Sequence, residues 1–212
     1  MKTDKLKLYT YEIVLITFLF FALFVSNIFT RVVLAIILSI YAVIIHFSIK
    51  KRNIKSIHTK HVILLLLIFA IIYVVGYYLL GIYFGYYEST VKLSIWSIFN
   101  YIIPFALLII SSEVIRNVLI VQKNKSSKLM TLVITVLIDV IIYTGIYDIT
   151  TLDGFLAIIG FIVFASVSCN LLYNYISIRF GMLSIIIYRL ITTLYVYIIP
   201  FTPDIYIFFK YF

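Results

Sequence analysis

The feature that most constrains this chain is a series of long apolar runs separated by short polar segments. A helix needs about 20 apolar residues to cross the roughly 30 Å hydrocarbon core of a bilayer, and each run is near that length. Hydrophobic residues fill 65% of the 212 positions and charged residues only 12%, against about a quarter charged in soluble domains. A soluble fold cannot bury that much apolar surface. We therefore predict an all-α polytopic membrane bundle.

The runs predict seven transmembrane helices that form a single membrane domain over residues 1–212. We place them at residues 9–26, 32–49, 62–84, 93–115, 129–147, 154–176 and 182–200. The first run follows a basic start, but no small-residue cleavage pattern comes after it. It therefore predicts a first helix rather than a removed signal peptide.

Lysine and arginine are distributed unevenly over the segments that join the runs. When these segments are assigned alternately to two sides, one side receives Lys2, Lys5, Lys7, Lys50, Lys51, Arg52, Lys55, Lys60, Lys123, Lys125, Lys128 and Arg179. The other side receives Arg31, Lys92 and Lys210. Cytoplasmic loops carry the excess of Lys and Arg, so this bias predicts a cytoplasmic N-terminus and an outer C-terminus in a bacterial cytoplasmic membrane. It also accounts for the net charge of +9, and we expect no nucleic-acid partner.

Two further features bear on metal and redox chemistry. The segment 50–61, KKRNIKSIHTKH, holds His58 and His61, but helix-borne zinc motifs space their histidines by four and this segment has no acidic ligand. We interpret it as a solvated loop at the lipid headgroups and expect no metal and no cofactor. Cys169 is the single cysteine, which excludes an intrachain disulfide and predicts a small buried hydrophobe.

Six polar residues fall in or at the ends of the last four predicted spans, where a charge costs about 2.5 to 3.5 kcal/mol. They are Glu113, Arg116, Asp139, Asn170, Asn174 and Arg189. Glu113 lies about ten residues, or about 15 Å, from the cytoplasmic Lys123, and Arg189 lies a similar number from Arg179, which predicts a similar depth. Two interpretations remain open. The six residues either hold the helices together, with Glu113 paired to Arg189 or Arg116, or line a polar cavity that is open to the cytoplasm and binds a peptide, a lipid headgroup or a small polar group.

The fourth span also contains Pro104, which has no N–H to donate to the carbonyl of Asn100. This arrangement predicts a kink at that position, which would open the bundle toward the outside.

Two stretches carry a family resemblance, SSEVIRNVLI at 111–120 and NLLYNYISIRFGMLS at 170–184. Together, residues 111–195 resemble the CPBP family of intramembrane proteins, which includes CAAX prenyl-proteases and bacteriocin-processing or immunity proteins. In that family a glutamate pair precedes an arginine in one helix, and later helices supply histidines that assist catalysis. Here Arg116 is in register with the family arginine.

The catalytic positions of the family are occupied by other residues in this chain. Ser111 and Ser112 stand at the glutamate positions, and Arg189 stands at or next to the last family histidine. No histidine follows His61. The resemblance therefore implies the family's helical core without its catalysis, acting as a scaffold or accessory to membrane protein or peptide processing.

There is also a second resemblance. The stretch YRLITTLYVYIIPFTPD at 188–204 resembles the end of the multi-span N-terminal membrane region of atypical signal peptidase I proteins. This implies either the membrane half of a larger enzyme or a stand-alone relative, with a peptidase or secretion component as a partner. Two other functions remain open. One is a small permease or flippase that uses the intramembrane polar residues, and the other is an intramembrane glutamate protease with Glu113 as its base.

Overall fold

The chain folds into a bundle of helices, and the predicted all-α class is confirmed. A computed structural model describes residues 2–23, 28–49, 59–89, 93–121, 125–143 and 151–204. The helices are α1 (Lys2–Leu23), α2 (Ile28–Ser48), α3 (Thr59–Phe84), α4 (Ile95–Ser97), α5 (Ile103–Ile120), α6 (Lys125–Tyr143), α7 (Leu152–Ala157), α8 (Phe164–Phe180) and α9 (Met182–Ile198). Two short strands, β1 (Tyr86–Glu88) and β2 (Phe201–Pro203), follow α3 and α9.

Two π-helical stretches join short helices to long ones. Ile98–Ile102 joins α4 to α5, and Ile158–Val163 joins α7 to α8, so the described helices form seven rods. The first stretch ends two residues before Pro104, and there the N–H of Ile103 donates to the carbonyl of Ile98. The wider turn lies next to the position where the proline removes a regular helical hydrogen bond, and the predicted kink stays a prediction.

Length and composition single out three of the described rods as able to cross a bilayer. They are Lys60–Phe84, Ile95–Ile120 and Gly154–Phe180. Val32–Ser48 and Met182–Ile198 are apolar but shorter, and the 17 residues of α9 span about 25 Å. The seven-span topology and its orientation therefore stay predictions. His58 and residues 205–212, which we expected in the inner loop and at the outer interface, lie outside the described residues.

The centre of the bundle is α5, which packs against α2, α6, α8 and α9. In its rod, 44% of an 18-residue apolar stretch is buried inside the bundle, whereas only 6% of such a stretch is buried in α3. α3 packs mainly on α9 and presents apolar side chains to its surroundings on most of its surface. The main core joins α1, α2, α5 and α6 and includes the fully buried Leu19, Leu38, Leu108 and Ile138.

One end of the bundle is closed by the pairing of β1 with β2. The strands are antiparallel, with Tyr87 opposite Thr202, and the N–H of Asp204 donates to the carbonyl of Gly85 at 3.0 Å. This pairing holds the C-terminal ends of α3 and α9 at the same end of the bundle. Gly85 leaves α3 with a φ of +85°, which side chains other than glycine rarely adopt.

A single glycine makes the turn at the opposite end. Gly181 separates α8 from α9 and has a φ of +88°. Its N–H donates to the carbonyl of Ser177 at 3.2 Å, which ends α8. This short turn makes α8 and α9 neighbours, and it brings the polar residues of the two helices close together.

Candidate functional site

All six polar residues that the sequence singles out lie in one buried network. Glu113 and Arg116 come from α5, Asp139 from α6, Asn170 and Asn174 from α8, and Arg189 from α9. Glu113, Arg116 and Asn170 are fully buried, and Asp139 and Arg189 are each 5% exposed. The similar depth predicted for Glu113 and Arg189 agrees with their direct contact, at 2.5 Å between Arg189 Nη1 and Glu113 Oε1.

Arg116 has every N–H hydrogen-bonded. Its Nε donates to Oε2 of Glu113 at 2.8 Å and its Nη2 donates to Oε1 at 3.2 Å, which is a bidentate pair on one helix face. Its Nη1 donates to the backbone carbonyl of Asn170 at 3.2 Å and to Oδ1 of Asn174 at 2.7 Å, and Nη2 also donates to Oδ1 of Asn170. A buried guanidinium with all donors satisfied avoids the penalty of unpaired N–H groups.

Arg189 links the two acidic residues across the bundle. Its Nη1 donates to Glu113 and to Oγ of Ser112, and its Nη2 donates to Oδ1 of Asp139 at 2.5 Å. These bonds use three of the five N–H groups of Arg189. Within the part of the chain that the structure describes, no atom accepts from the other two.

Asn170 connects Arg116 to Asp139. Its side-chain oxygen accepts from Arg116, while its Nδ2 donates to Oδ2 of Asp139 at 2.6 Å. Ser166, one helical turn earlier on α8, donates to the same Asp139 oxygen at 2.8 Å. We call these eight residues the ion network: Ser112, Glu113, Arg116, Asp139, Ser166, Asn170, Asn174 and Arg189. It joins α5, α6, α8 and α9.

Sequence reasoning missed Ser112 and Ser166 as network members and Tyr173 as their neighbour. The ring of Tyr173 lies 5.5 Å from the guanidinium carbon of Arg116 and 5.5 Å from that of Arg189. Helical spacing gives a signal for two of the three, since Ser166 precedes Asn170 by four residues and Tyr173 follows it by three. Ser112 had no such signal, because its partner Arg189 is on another helix.

The ion network is electrically balanced. It contains two guanidinium groups and two carboxylates, and each carboxylate accepts three hydrogen bonds. Both oxygens of Glu113 are held by arginine, and no solvent reaches this residue. A general base must have an oxygen free to accept the proton of its substrate or water, and Glu113 does not meet this requirement in the structure.

A pocket of about 460 Å³ lies beside the ion network. Asp139, Ser166 and Arg189 form its polar floor, and its walls come from α3, the π-helical stretch Ile158–Val163, α8 and α9. We call it the lateral pocket because the wall residues Tyr73 and Phe161 are exposed on the side of the bundle, far from the ends of their rods. Glu113 does not line it.

The position of Cys169 corrects one expectation. The sequence predicts a small buried hydrophobe, but the cysteine is exposed and lies on the wall of the lateral pocket. The prediction was wrong because the inward face of α8 is its polar face, where Ser166 and Asn170 are buried, whereas apolar positions such as Leu171 and Leu172 are exposed.

The described residues contain no group of three or more His, Cys, Asp or Glu side chains placed to hold a metal ion. The two carboxylates of the ion network are instead neutralised by arginine. Their environment is therefore suited to ion pairing, and guanidinium groups occupy the places where a cation would bind.

No family profile, curated protein or solved structure matches this chain, so the resemblance to the CPBP family remains a prediction from the residues themselves.

Proposed function

We propose that this protein is a non-catalytic integral membrane protein of the bacterial cytoplasmic membrane that acts as a binding scaffold or accessory in membrane protein or peptide processing. In this proposal all seven rods cross the bilayer, with the N-terminus in the cytoplasm and the C-terminus outside. The partners are the lipid bilayer and a peptidase or secretion component.

The membrane assignment is supported by the surface of the bundle. Three rods have the length and apolar composition of a span, and exposed positions on α2, α3 and α8 are occupied by Ile, Leu, Val and Phe. Such a surface is stable against lipid tails and unstable in water. The pairing of β1 with β2 supports rods that cross the bilayer in alternating directions. It holds the C-terminal ends of α3 and α9 together, and the charge bias predicts that both ends lie outside.

The ion pairs of Glu113 support the proposal that the protein is not catalytic. Arg116 and Arg189 hold both oxygens of this carboxylate, at 2.8 Å and 2.5 Å for the shortest contact of each. The resemblance to the CPBP family supplies the context of peptide processing, and Ser111 and Ser112 replace its glutamates. Ser111 meets Ser39 of α2 at 3.0 Å between hydroxyl oxygens, so this position contributes to helix packing.

Reporter cleavage by purified protein in liposomes tests this proposal. We expect no cleavage of a membrane-inserted prenylated or peptide reporter by the parent protein or by Glu113→Gln. Crosslinking in native membranes is expected to recover a peptidase or a secretion component. Cleavage that Glu113→Gln abolishes assigns the protein to the glutamate proteases and overturns the proposal.

A small permease or flippase is the second candidate, and the lateral pocket favours it because the pocket reaches buried charged groups from the side. Thermal shift with candidate substrates distinguishes the two functions. A permease site gives substrate-dependent stabilisation that Arg189→Ala removes, whereas a scaffold gives none. The continuous hydrogen bonding of the ion network across the bundle is evidence against an open path.

A further inference from the structure

We propose that the lateral pocket is the docking site for a transmembrane helix of a partner, and that it recognises an uncharged hydrogen-bond acceptor, such as a Gln or Asn side chain, near the middle of that helix. This inference rests on the proposed membrane function and names the class of partner.

The floor of the pocket has unused hydrogen-bond donors. Arg189 is 5% exposed and lines the pocket, and two of its N–H groups have no acceptor among the described residues. Every N–H of Arg116, in the same network, is satisfied. A ligand that offers an acceptor to these N–H groups, which face the pocket, gains a charge-assisted hydrogen bond.

The charge balance of the network indicates that this acceptor is uncharged. Arg189 is already neutralised by Glu113 and Asp139, and Arg116 completes a network with no net charge. A carboxylate or phosphate added here would leave one uncompensated negative charge in a medium of low dielectric constant. An amide or hydroxyl oxygen accepts from Arg189 without adding charge.

The depth of the pocket favours a helix over a lipid headgroup. Arg189 is seven residues from the start of α9 and nine from its end, or about 10 Å and 13 Å along the axis. Lipid ester and phosphate groups lie outside the hydrocarbon core, about 15 Å from its midplane. The backbone and central side chains of a spanning helix lie at the depth of Arg189.

The wall formed by α8 suits close approach of a second helix. Ala165 and Cys169 line the pocket four residues apart, and both are exposed on the same face. Small residues at this spacing allow two helix backbones to approach closely within a membrane, and a polar side chain then adds an interhelical hydrogen bond. The pocket combines the two features.

Disulfide trapping on the native Cys169 tests the proposal in phosphatidylcholine liposomes that contain the whole protein. The probes are two lysine-flanked Leu/Ala peptides with one cysteine, which differ only in a central Gln or a central Leu. We expect about threefold to tenfold more heterodisulfide with the Gln peptide, the ratio that one interhelical hydrogen bond provides. Cys169→Ser is expected to abolish trapping of both peptides.

Two tryptophan variants on α8 provide the matched control. Ala165→Trp fills the pocket from its exposed wall and replaces no residue of the ion network, and it is expected to lower trapping of the Gln peptide to the level of the Leu peptide. Leu171→Trp adds the same ring at an exposed position outside the pocket and is expected to leave trapping unchanged.

Three results overturn the inference: equal trapping of both peptides, trapping that Ala165→Trp leaves unchanged, and trapping that disappears when phosphatidylglycerol replaces phosphatidylcholine. The last result assigns the pocket to an anionic lipid. Peptide mass is followed in the same samples. Intact peptide without selective trapping removes only the helix ligand, whereas peptide cleavage that requires Glu113 removes the proposed function.

Discussion

Arg189 and Asp139 are 50 residues apart in the sequence, yet Nη2 of Arg189 lies 2.5 Å from Oδ1 of Asp139 inside the bundle. The contact joins α9 to α6. It also connects the Arg116–Glu113 pair of α5 to Asp139 through Arg189, so the four charged groups act as one unit. The stability of the last four rods therefore depends on residues that would be costly if they were isolated.

Removal of one guanidinium from the ion network is expected to destabilise the protein strongly. Arg116→Met takes away the bidentate partner of Glu113 and leaves the network with excess negative charge. We expect the free energy of unfolding to fall by about 3 to 5 kcal/mol, measured by SDS titration in mixed micelles. Arg179→Met is the matched control. Arg179 is exposed and contacts the ring of Tyr175 at 5.8 Å, so its loss is expected to cost less than about 1 kcal/mol. Equal effects of the two variants would contradict the buried network.

Charge balance predicts strong coupling between Glu113 and Arg116. Glu113→Gln or Arg116→Gln alone leaves one unbalanced charge, whereas the double variant is neutral. In a double-mutant cycle, the loss of unfolding free energy in the double variant is therefore expected to be smaller than the sum of the two single losses by about 0.5 to 3 kcal/mol. Additive losses would mean that the two groups do not share a charge environment.

The turn between α8 and α9 depends on a backbone conformation that favours glycine. Gly181→Ala forces an L side chain to a φ of +88° and a ψ of 171°, a region essentially restricted to glycine, at a cost of about 1 to 3 kcal/mol. Gly76→Ala, inside α3 and with no atom within 4 Å of the added carbon, is expected to cause no loss. The Tm of each variant in detergent measures these effects. An unchanged Tm for Gly181→Ala would contradict this turn conformation.

The proposed orientation predicts which positions react with an impermeant maleimide. In a Cys169→Ser background, which has no other cysteine, Tyr87→Cys on β1 is expected to react in intact cells. Arg179→Cys, near the Gly181 turn, is expected to react only after the membrane is permeabilised. The opposite pattern reverses the topology, and reaction of both in intact cells contradicts the odd number of spans proposed between them.

The polar residues show how much of the candidate site was predictable. Glu113 and Arg116 are three residues apart, so helical spacing alone places them on one face. Similar depth was predicted only for Glu113 and Arg189, and the sequence left open whether the six residues hold the helices together or line a cavity. Their individual partners depend on how the rods rotate about their axes. Cys169 shows the limit, because the buried face of α8 carries the polar Ser166 and Asn170, and the cysteine beside them is exposed.

The sequence by itself determined the helical class, the approximate position of each rod and the set of polar residues that must find partners, because apolar run length and the cost of buried charge are local properties. Only the tertiary structure decided that α5 is central, that Arg189 pairs with both Glu113 and Asp139, and that a pocket opens beside them. These features depend on which face each rod turns toward its neighbours, and uniformly apolar helices carry too little periodicity to specify it.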